Sequence, residues 1–83
     1  MDTPLTPAEA FGSVLVRFRK VRGLSQEALA FESGLDRTFI ARIETGNRQP
    51  GLTSILRLAK ALDVSSSQLM AEVEQATNAD SED

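Results

Sequence analysis

One stretch near the middle of the chain predicts two short helices joined by a tight turn. Ser25 can cap the first helix, and Gly34 comes where the chain must turn, since a residue without a Cβ takes positive φ at little cost. Asp36 can cap the second helix, in which Ile40 and Ile43 share a buried face. Two helices arranged in this way are typical of a helix-turn-helix, a motif whose second helix enters the major groove of DNA.

The outward face of the second helix carries residue types that suit the floor of that groove. Arg37, Thr38 and Arg42 point away from the predicted core. Arginine can donate two hydrogen bonds to O6 and N7 of guanine, and small side chains let the backbone approach the bases. We therefore predict base contacts by Arg37, Thr38 and Arg42. The alternatives are an intrahelical partner for Arg37, namely Asp36 or Glu44, and a phosphate contact for Arg42.

Further motifs between Phe18 and Leu69 extend this pattern on both sides. They are the segments 23–26, 29–30, 34, 40–44, 46–50, 58–62 and 64–65. On these segments the chain resembles the lambda-repressor-like, or XRE, family of bacterial and phage regulators. Within that family, the hexapeptide Leu35–Ile40 is similar to the controller proteins of restriction-modification systems. The resemblance implies an all-α, five-helix lambda-repressor-like domain with its helix-turn-helix at helices 2 and 3.

The resemblance also implies contacts with DNA phosphates. In the family, the residues that match Gln26, Asn47 and Arg48 have this role, and the N-terminus of a helix favours an anion. We add Arg17 as a fourth phosphate ligand. The alternatives are a solvent-exposed glutamine chosen for helix propensity at Gln26 and a simple solubilising charge at Arg17.

An ion pair and a dimer surface follow from the same resemblance. The family pairs the residues that match Arg19 and Glu44 in a partly buried contact, so we predict a structural ion pair there. A single short recognition helix offers too few contacts for a dissociation constant on the order of 10⁻⁸ M, and paired units read half-sites about 34–36 Å apart. The family dimerises through helix 5 and the end of helix 4. We predict Leu69, Met70 and Val73 as the dimer interface.

Two phenylalanines, Phe31 and Phe39, occupy helical positions at which surface residues are expected. Packing on each other, as a small cluster over the helix-turn-helix, is favoured over stacking on DNA sugars. Duplex DNA offers no unstacked bases, so a nucleobase platform is not expected.

Capping signals set the ends of the predicted domain. A capping box at Thr6–Glu9, with proline at the first helical position, predicts helix 1 from about Pro7 to Arg22. Gly51 is a weaker cap for helix 4 than the serine usual in the family, and Ser65–Gln68 is a second capping box that starts helix 5. Low apolar content at both ends predicts flexibility there. The predicted segments are a flexible N-terminus 1–6, the helix-turn-helix domain 7–75 and an acidic, disordered tail 76–83.

The distribution of charge fits a DNA-binding surface although the net charge is −3. All nine basic residues and only four of the twelve acidic ones lie between Phe11 and Leu62, which gives this segment a local charge of +5. The local field depends on this distribution and not on the total. An acidic chain can therefore still present a basic face to DNA.

Composition excludes several classes of function. With no Cys and no His, the chain has no disulfide, no Cys/His zinc site and no thiolate or imidazole base. We expect no enzyme, no metal and no cofactor, since a phosphate-binding glycine loop is also missing. No apolar run approaches the roughly 20 residues of a membrane span, and the N-terminus lacks the basic start of a signal peptide. We expect a cytoplasmic protein without a membrane partner.

These observations predict a sequence-specific DNA-binding transcriptional regulator. It would act as a homodimer on a palindromic operator in double-stranded DNA, as an autoregulatory controller protein. Repression follows if the operator overlaps a promoter, and activation follows if the dimer sits beside RNA polymerase. The alternative is an antitoxin-type DNA-binding protein whose main partner is a toxin, with the acidic stretch from about Glu72 to Asp83 folding onto that toxin.

Overall fold

Five α-helices make up the fold in the computed structural model, which describes residues 5–78. No strand occurs in this part of the chain, so the predicted all-α, five-helix architecture is confirmed. None of the helices among these residues is long and apolar enough to cross a membrane. The helices are α1 (Pro7–Val21), α2 (Gln26–Ser33), α3 (Arg37–Glu44), α4 (Leu52–Ala61) and α5 (Ser66–Asn78).

Both predicted capping boxes are present. The Glu9 N–H donates to Thr6 Oγ1 at 3.1 Å, and the Thr6 N–H donates to Glu9 Oε1 at 3.0 Å. Ser65 and Gln68 make the same reciprocal pair of bonds, each 3.0 Å long, at the start of α5. Thr6, the last residue of the predicted N-terminal segment 1–6, is the N-cap of α1. Residues 1–4 lie outside the described part of the chain.

The predicted boundary between the domain and its tail, at residues 75 and 76, is wrong. Helix α5 continues to Asn78. Ala76 follows Val73 by three positions, which puts both on one face of the helix, and Ala76 packs half-buried against the core. Residues 76–78 therefore belong to α5 and not to the tail. The rest of the predicted tail, residues 79–83, lies outside the described residues.

Every helix contributes to one apolar core. Leu29 of α2 is buried between the other helices, and Leu62, just after α4, closes the core near α5. The side chains of Arg19 and Glu44 lie at the edge of this core. The buried apolar residues are Ala10, Phe11, Val14, Leu15, Leu29, Ile40, Ile43, Leu58, Ala59, Leu62, Leu69 and Val73.

The predicted dimer interface is wrong at two of its three residues. Leu69 is 0% exposed and Val73 5% exposed, since both face the core one turn apart on α5. A side chain that is already buried in the protomer has no surface left to give to a partner. Met70 alone is available, at 40% exposure.

Helices α1 and α3 approach each other closely at Gly12, a position that the sequence analysis did not single out. A Cβ at Gly12 would lie 2.7 Å from the carbonyl oxygen of Glu44 and closer still to that of Ile43. Only glycine allows the two backbones to come this near. The end of α3 is thereby held against the middle of α1.

The turn between α2 and α3 has the predicted geometry. Gly34 adopts φ 73°, and its N–H donates to the carbonyl oxygen of Ala30 at 2.9 Å. Ser25 caps α2 by accepting the Ala28 N–H, and Asp36 caps α3 by accepting the Thr38 N–H, both at 3.0 Å. These local bonds set the direction in which α3 leaves α2.

Candidate nucleic-acid interface

The three residues predicted to contact bases lie together on α3. Arg37 and Thr38 are its first two residues, Arg42 follows one turn later, and all three are exposed. Thr38 and Arg42 lie on the side of α3 opposite the buried Ile40 and Ile43, whereas Arg37, three residues before Ile40, lies on the flank that faces α2. The core therefore fixes the face of α3 that meets solvent.

Arg37 donates a hydrogen bond to a residue of α2 and not to Asp36 or Glu44, the two partners considered from the sequence. Its Nη1 donates to Gln26 Oε1 at 3.1 Å. The other end of the same amide, Gln26 Nε2, donates to Glu44 Oε1 at 2.8 Å. Gln26, the first residue of α2, thus bridges the first and last residues of α3.

Arg19 and Glu44 form the predicted ion pair between α1 and α3. Arg19 Nε donates to Glu44 Oε2 at 2.6 Å, and Arg19 Nη2 donates to Glu44 Oε1 at 3.1 Å. The two side chains are only 12% and 5% exposed, and Arg19 Nη1 also donates to the Leu24 carbonyl oxygen at 2.8 Å. The hydrogen bonds that Arg19 donates to Glu44 raise the pKa of Arg19, although burial opposes this shift. Loss of one partner would leave a buried charge without compensation.

The loop after α3 brings two more predicted contact residues beside the helix. The N–H groups of Asn47 and Arg48 both donate to the Arg42 carbonyl oxygen, at 2.9 and 3.2 Å. Both side chains are exposed. The Arg48 guanidinium lies over the ring of Phe39, 5.1 Å from its centre, a cation–π geometry. Phe39 therefore supports Arg48 at the end of the recognition helix.

The predicted cluster of Phe31 with Phe39 is wrong. Phe31 is 88% exposed, whereas Phe39 packs half-buried against the core. Helix α2 buries Leu29, and Phe31, two positions later, points to the opposite side of the helix. Phe31 consequently projects into solvent.

Arg17 is not brought to this surface. Its Nη2 donates to Glu72 Oε1 of α5 at 2.8 Å. Arg17 is two positions from Arg19, and residues two apart face different sides of a helix. Since Arg19 faces α2 and α3, Arg17 lies on the side of α1 that faces α5.

The exposed charges of α3 and of the loop after it are cationic, whereas α2 carries two exposed glutamates. Arg37, Arg42 and Arg48 are exposed, whereas Glu44 is neutralised by Arg19. Residues 5–78 contain no group of three or more acidic residues that could hold a metal ion. Backbone donors and guanidinium groups beside an exposed helix can bind phosphates and base edges.

A helix-turn-helix whose second helix and following loop present these cations defines the class of DNA-binding helix-turn-helix domains. The HTH_3 family model, described as helix-turn-helix, matches residues 15–69. The chain belongs to this XRE-type family of DNA-binding transcription regulators. The resemblance found in the sequence is thereby confirmed.

Several relatives are controller proteins. Control protein C.MunI from Mycoplasma sp is 35% identical over 66 residues, which are 78% of this chain and 89% of that protein. The structure of the restriction-modification controller protein C.AhdI from Aeromonas hydrophila is 47% identical, with a TM-score of 0.73 over 75% of this chain and 94% of that one. A structure of C.Esp1396I bound to a 19 base pair DNA duplex is 29% identical, with a TM-score of 0.79 over 87% of this chain and 96% of that one. These similarities do not favour the antitoxin alternative.

Proposed function

We propose that this chain is a sequence-specific transcription regulator of the restriction-modification controller type. It binds palindromic duplex DNA as a homodimer in the cytoplasm, without a catalytic step, cofactor or membrane partner. The observation that carries the proposal is the exposed, cationic face of α3, in a chain that is similar to controller proteins over most of its length.

In this proposal the contact residues divide into two groups. Arg37, Thr38 and Arg42 meet base edges, since they lie on the solvent face of α3. Each good contact of this kind contributes about 1–3 kcal/mol of discrimination between bases. Asn47 and Arg48, together with the N-terminus of α2, bind phosphates and set the position of the protein on DNA.

The dimer forms through an apolar surface on α4 and α5. Leu52 and Leu56 lie one turn apart on α4 and are 73% and 50% exposed. Ile55 of α4 and Met70 of α5 line one groove. We call Leu52, Ile55, Leu56 and Met70 the α4–α5 patch. Burial of its apolar area against a second copy supplies the driving force for association.

In vitro selection of duplex DNA from a random library tests the proposal. The purified protein should enrich an inverted repeat with half-sites about one helical turn, or 34–36 Å, apart. Repeating the selection with Arg37→Ala should relax one position in each half-site. A pool without enrichment, bound only in a salt-sensitive way, would contradict sequence-specific binding.

A further inference from the structure

A continuous chain of hydrogen bonds connects the buried ion pair to the exposed Arg37. It runs from Arg19 to Glu44, from Glu44 to Gln26 and from Gln26 to Arg37. Only the last member is exposed, while Gln26 is half-buried between α2 and α3. We call these four residues the relay.

The amide of Gln26 can serve this chain in only one orientation. A carboxylate is solely an acceptor and a guanidinium is solely a donor, whereas a primary amide has one end of each kind. Glu44 therefore requires Nε2 of Gln26 on its side, which turns Oε1 towards Arg37. The opposite orientation would set acceptor against acceptor at Glu44 and donor against donor at Arg37.

Glu44 is fixed firmly enough to impose this orientation. Two hydrogen bonds from Arg19 hold its carboxylate, at 2.6 and 3.1 Å. The close approach of α1 and α3 at Gly12 holds its backbone. Arg37 in turn commits Nη1 to Gln26 at 3.1 Å. A guanidinium has five N–H donors, so Arg37 retains others for a base edge.

We propose that Glu44, acting through Gln26, is a positioning residue that orients Arg37 for base discrimination. The inference rests on the proposed function, in which Arg37 reads a base. Glu44 thus has a role beyond the stability of the ion pair, and Gln26 a role beyond phosphate binding. Holding the guanidinium before DNA arrives removes part of the entropic cost of ordering it on the base.

The test measures discrimination one base pair at a time. Arg37→Ala first identifies the base pair that Arg37 reads, by comparing affinities for the operator and for its single-pair variants. Gln26→Met removes both amide bonds at similar length and leaves the ion pair intact. We expect it to reduce discrimination at that same pair by about three- to tenfold, the loss typical of one hydrogen bond. In an Arg37→Ala background, Gln26→Met should cause no further loss of discrimination there.

Two outcomes would overturn the relay, and one control variant checks the measurement. A uniform loss of affinity for all sequences in Gln26→Met would make Gln26 a phosphate ligand only and overturn the relay. If Arg37→Ala affects no base pair, the proposed role of Arg37 fails and the relay fails with it. Gln75→Met, at an exposed position of α5, is the matched control and should change neither affinity nor discrimination.

One further variant tests Glu44, and one spectroscopic measurement tests the link from Gln26 to Arg37. Glu44→Gln allows either orientation of the Gln26 amide and should reduce discrimination at the Arg37 base pair; full discrimination in this variant would overturn the role of Glu44. Because Glu44→Gln can unfold the protein, NMR relaxation of the Arg37 Nε–H in the free protein gives a second readout. This side chain should be ordered in the wild type and mobile in Gln26→Met, and equal mobility in both would overturn the relay.

Discussion

Arg37 and Arg48 carry the same charge but are held by different neighbours. Arg37 donates to an amide oxygen at 3.1 Å, which restrains one end of its guanidinium. The guanidinium of Arg48 lies 5.1 Å from the centre of the Phe39 ring. A cation–π contact of this kind keeps the guanidinium above the ring but does not engage its N–H donors in a hydrogen bond. A guanidinium that is restrained as in Arg37 suits the two acceptors on the edge of a guanine. The two arginines should therefore respond differently to substitution.

Arg37→Ala should weaken binding to the operator far more than binding to random DNA. Loss of a bidentate base contact costs about 1–3 kcal/mol, or about five- to 150-fold in affinity. Fluorescence anisotropy with operator and random duplexes measures both affinities. Arg17→Ala is the control, since Arg17 is paired with Glu72 on the other side of α1. Equal losses on the two duplexes would argue against base contact by Arg37.

Arg48→Ala should weaken binding to operator and random DNA alike. If Arg48 neutralises one phosphate, its loss makes the slope of log K against log salt shallower by about 0.9 for each protomer, or about 1.8 for the bound dimer. Phe39→Leu keeps the arginine but removes the ring beneath it, so we expect part of the same loss. Affinities measured at four or five salt concentrations give the slope. An unchanged slope in Arg48→Ala would show that Arg48 does not touch a phosphate.

At the scale of the helices, local signals predicted the fold well and tertiary contacts were harder to predict. Caps such as Ser25 and Asp36 act within three residues, so the sequence alone identifies them. The approach of α1 to α3 at Gly12 depends on how two helices cross. The exposure of Phe31 likewise follows from which face of α2 meets the core, and the bond from Gln26 to Arg37 joins residues 11 apart. Sequence patterns identified the candidate contact residues but not the bonds that orient them.

Gly12→Ala should destabilise the protein by pushing α1 away from α3. The new Cβ would meet backbone carbonyl oxygens, which cannot move aside as a flexible side chain can. We expect a cost of about 1–3 kcal/mol in the free energy of unfolding, as for an overpacked core. Urea denaturation measures it, with Ser13→Ala, at an exposed position of α1, as the control. Wild-type stability in Gly12→Ala would mean that the helices separate at little cost.

Gly51→Ser should stabilise the protein slightly. Gly51 caps α4 without a side-chain hydrogen bond, has extended backbone angles of −84° and −179°, and has open space around its Cβ position. A serine hydroxyl there can accept an N–H of the first turn, which adds a few tenths of a kcal/mol. Thermal unfolding should show a melting temperature higher by about 2 °C. Gly51→Ala lacks the hydroxyl, so a gain of the same size in that variant would contradict capping as the cause.

On the scale of the whole molecule, the proposed DNA-binding surface and the proposed dimer surface differ in charge and polarity. The face built by α3 and the following loop is cationic, and the relay and Phe39 hold two of its arginines. The α4–α5 patch is apolar and exposed. The prediction from sequence chose helix 5 for the dimer but selected two core residues, because Leu69, Met70 and Val73 are apolar alike and only packing separates them.

Lysines in the α4–α5 patch should convert the dimer to a monomer without unfolding the protomer. In an isologous interface the same patch comes from both copies, so Leu52→Lys with Leu56→Lys places four positive charges in one contact. Burying unpaired charges opposes association, whereas in the free protomer both positions face solvent. Analytical ultracentrifugation should show a lower mass, and affinity for the full palindrome should fall towards that for one half-site. Val21→Lys, an exposed apolar position on α1, should leave the mass unchanged. If the double variant stays dimeric, the two copies meet elsewhere, and the spacing of the half-sites must be explained by another surface.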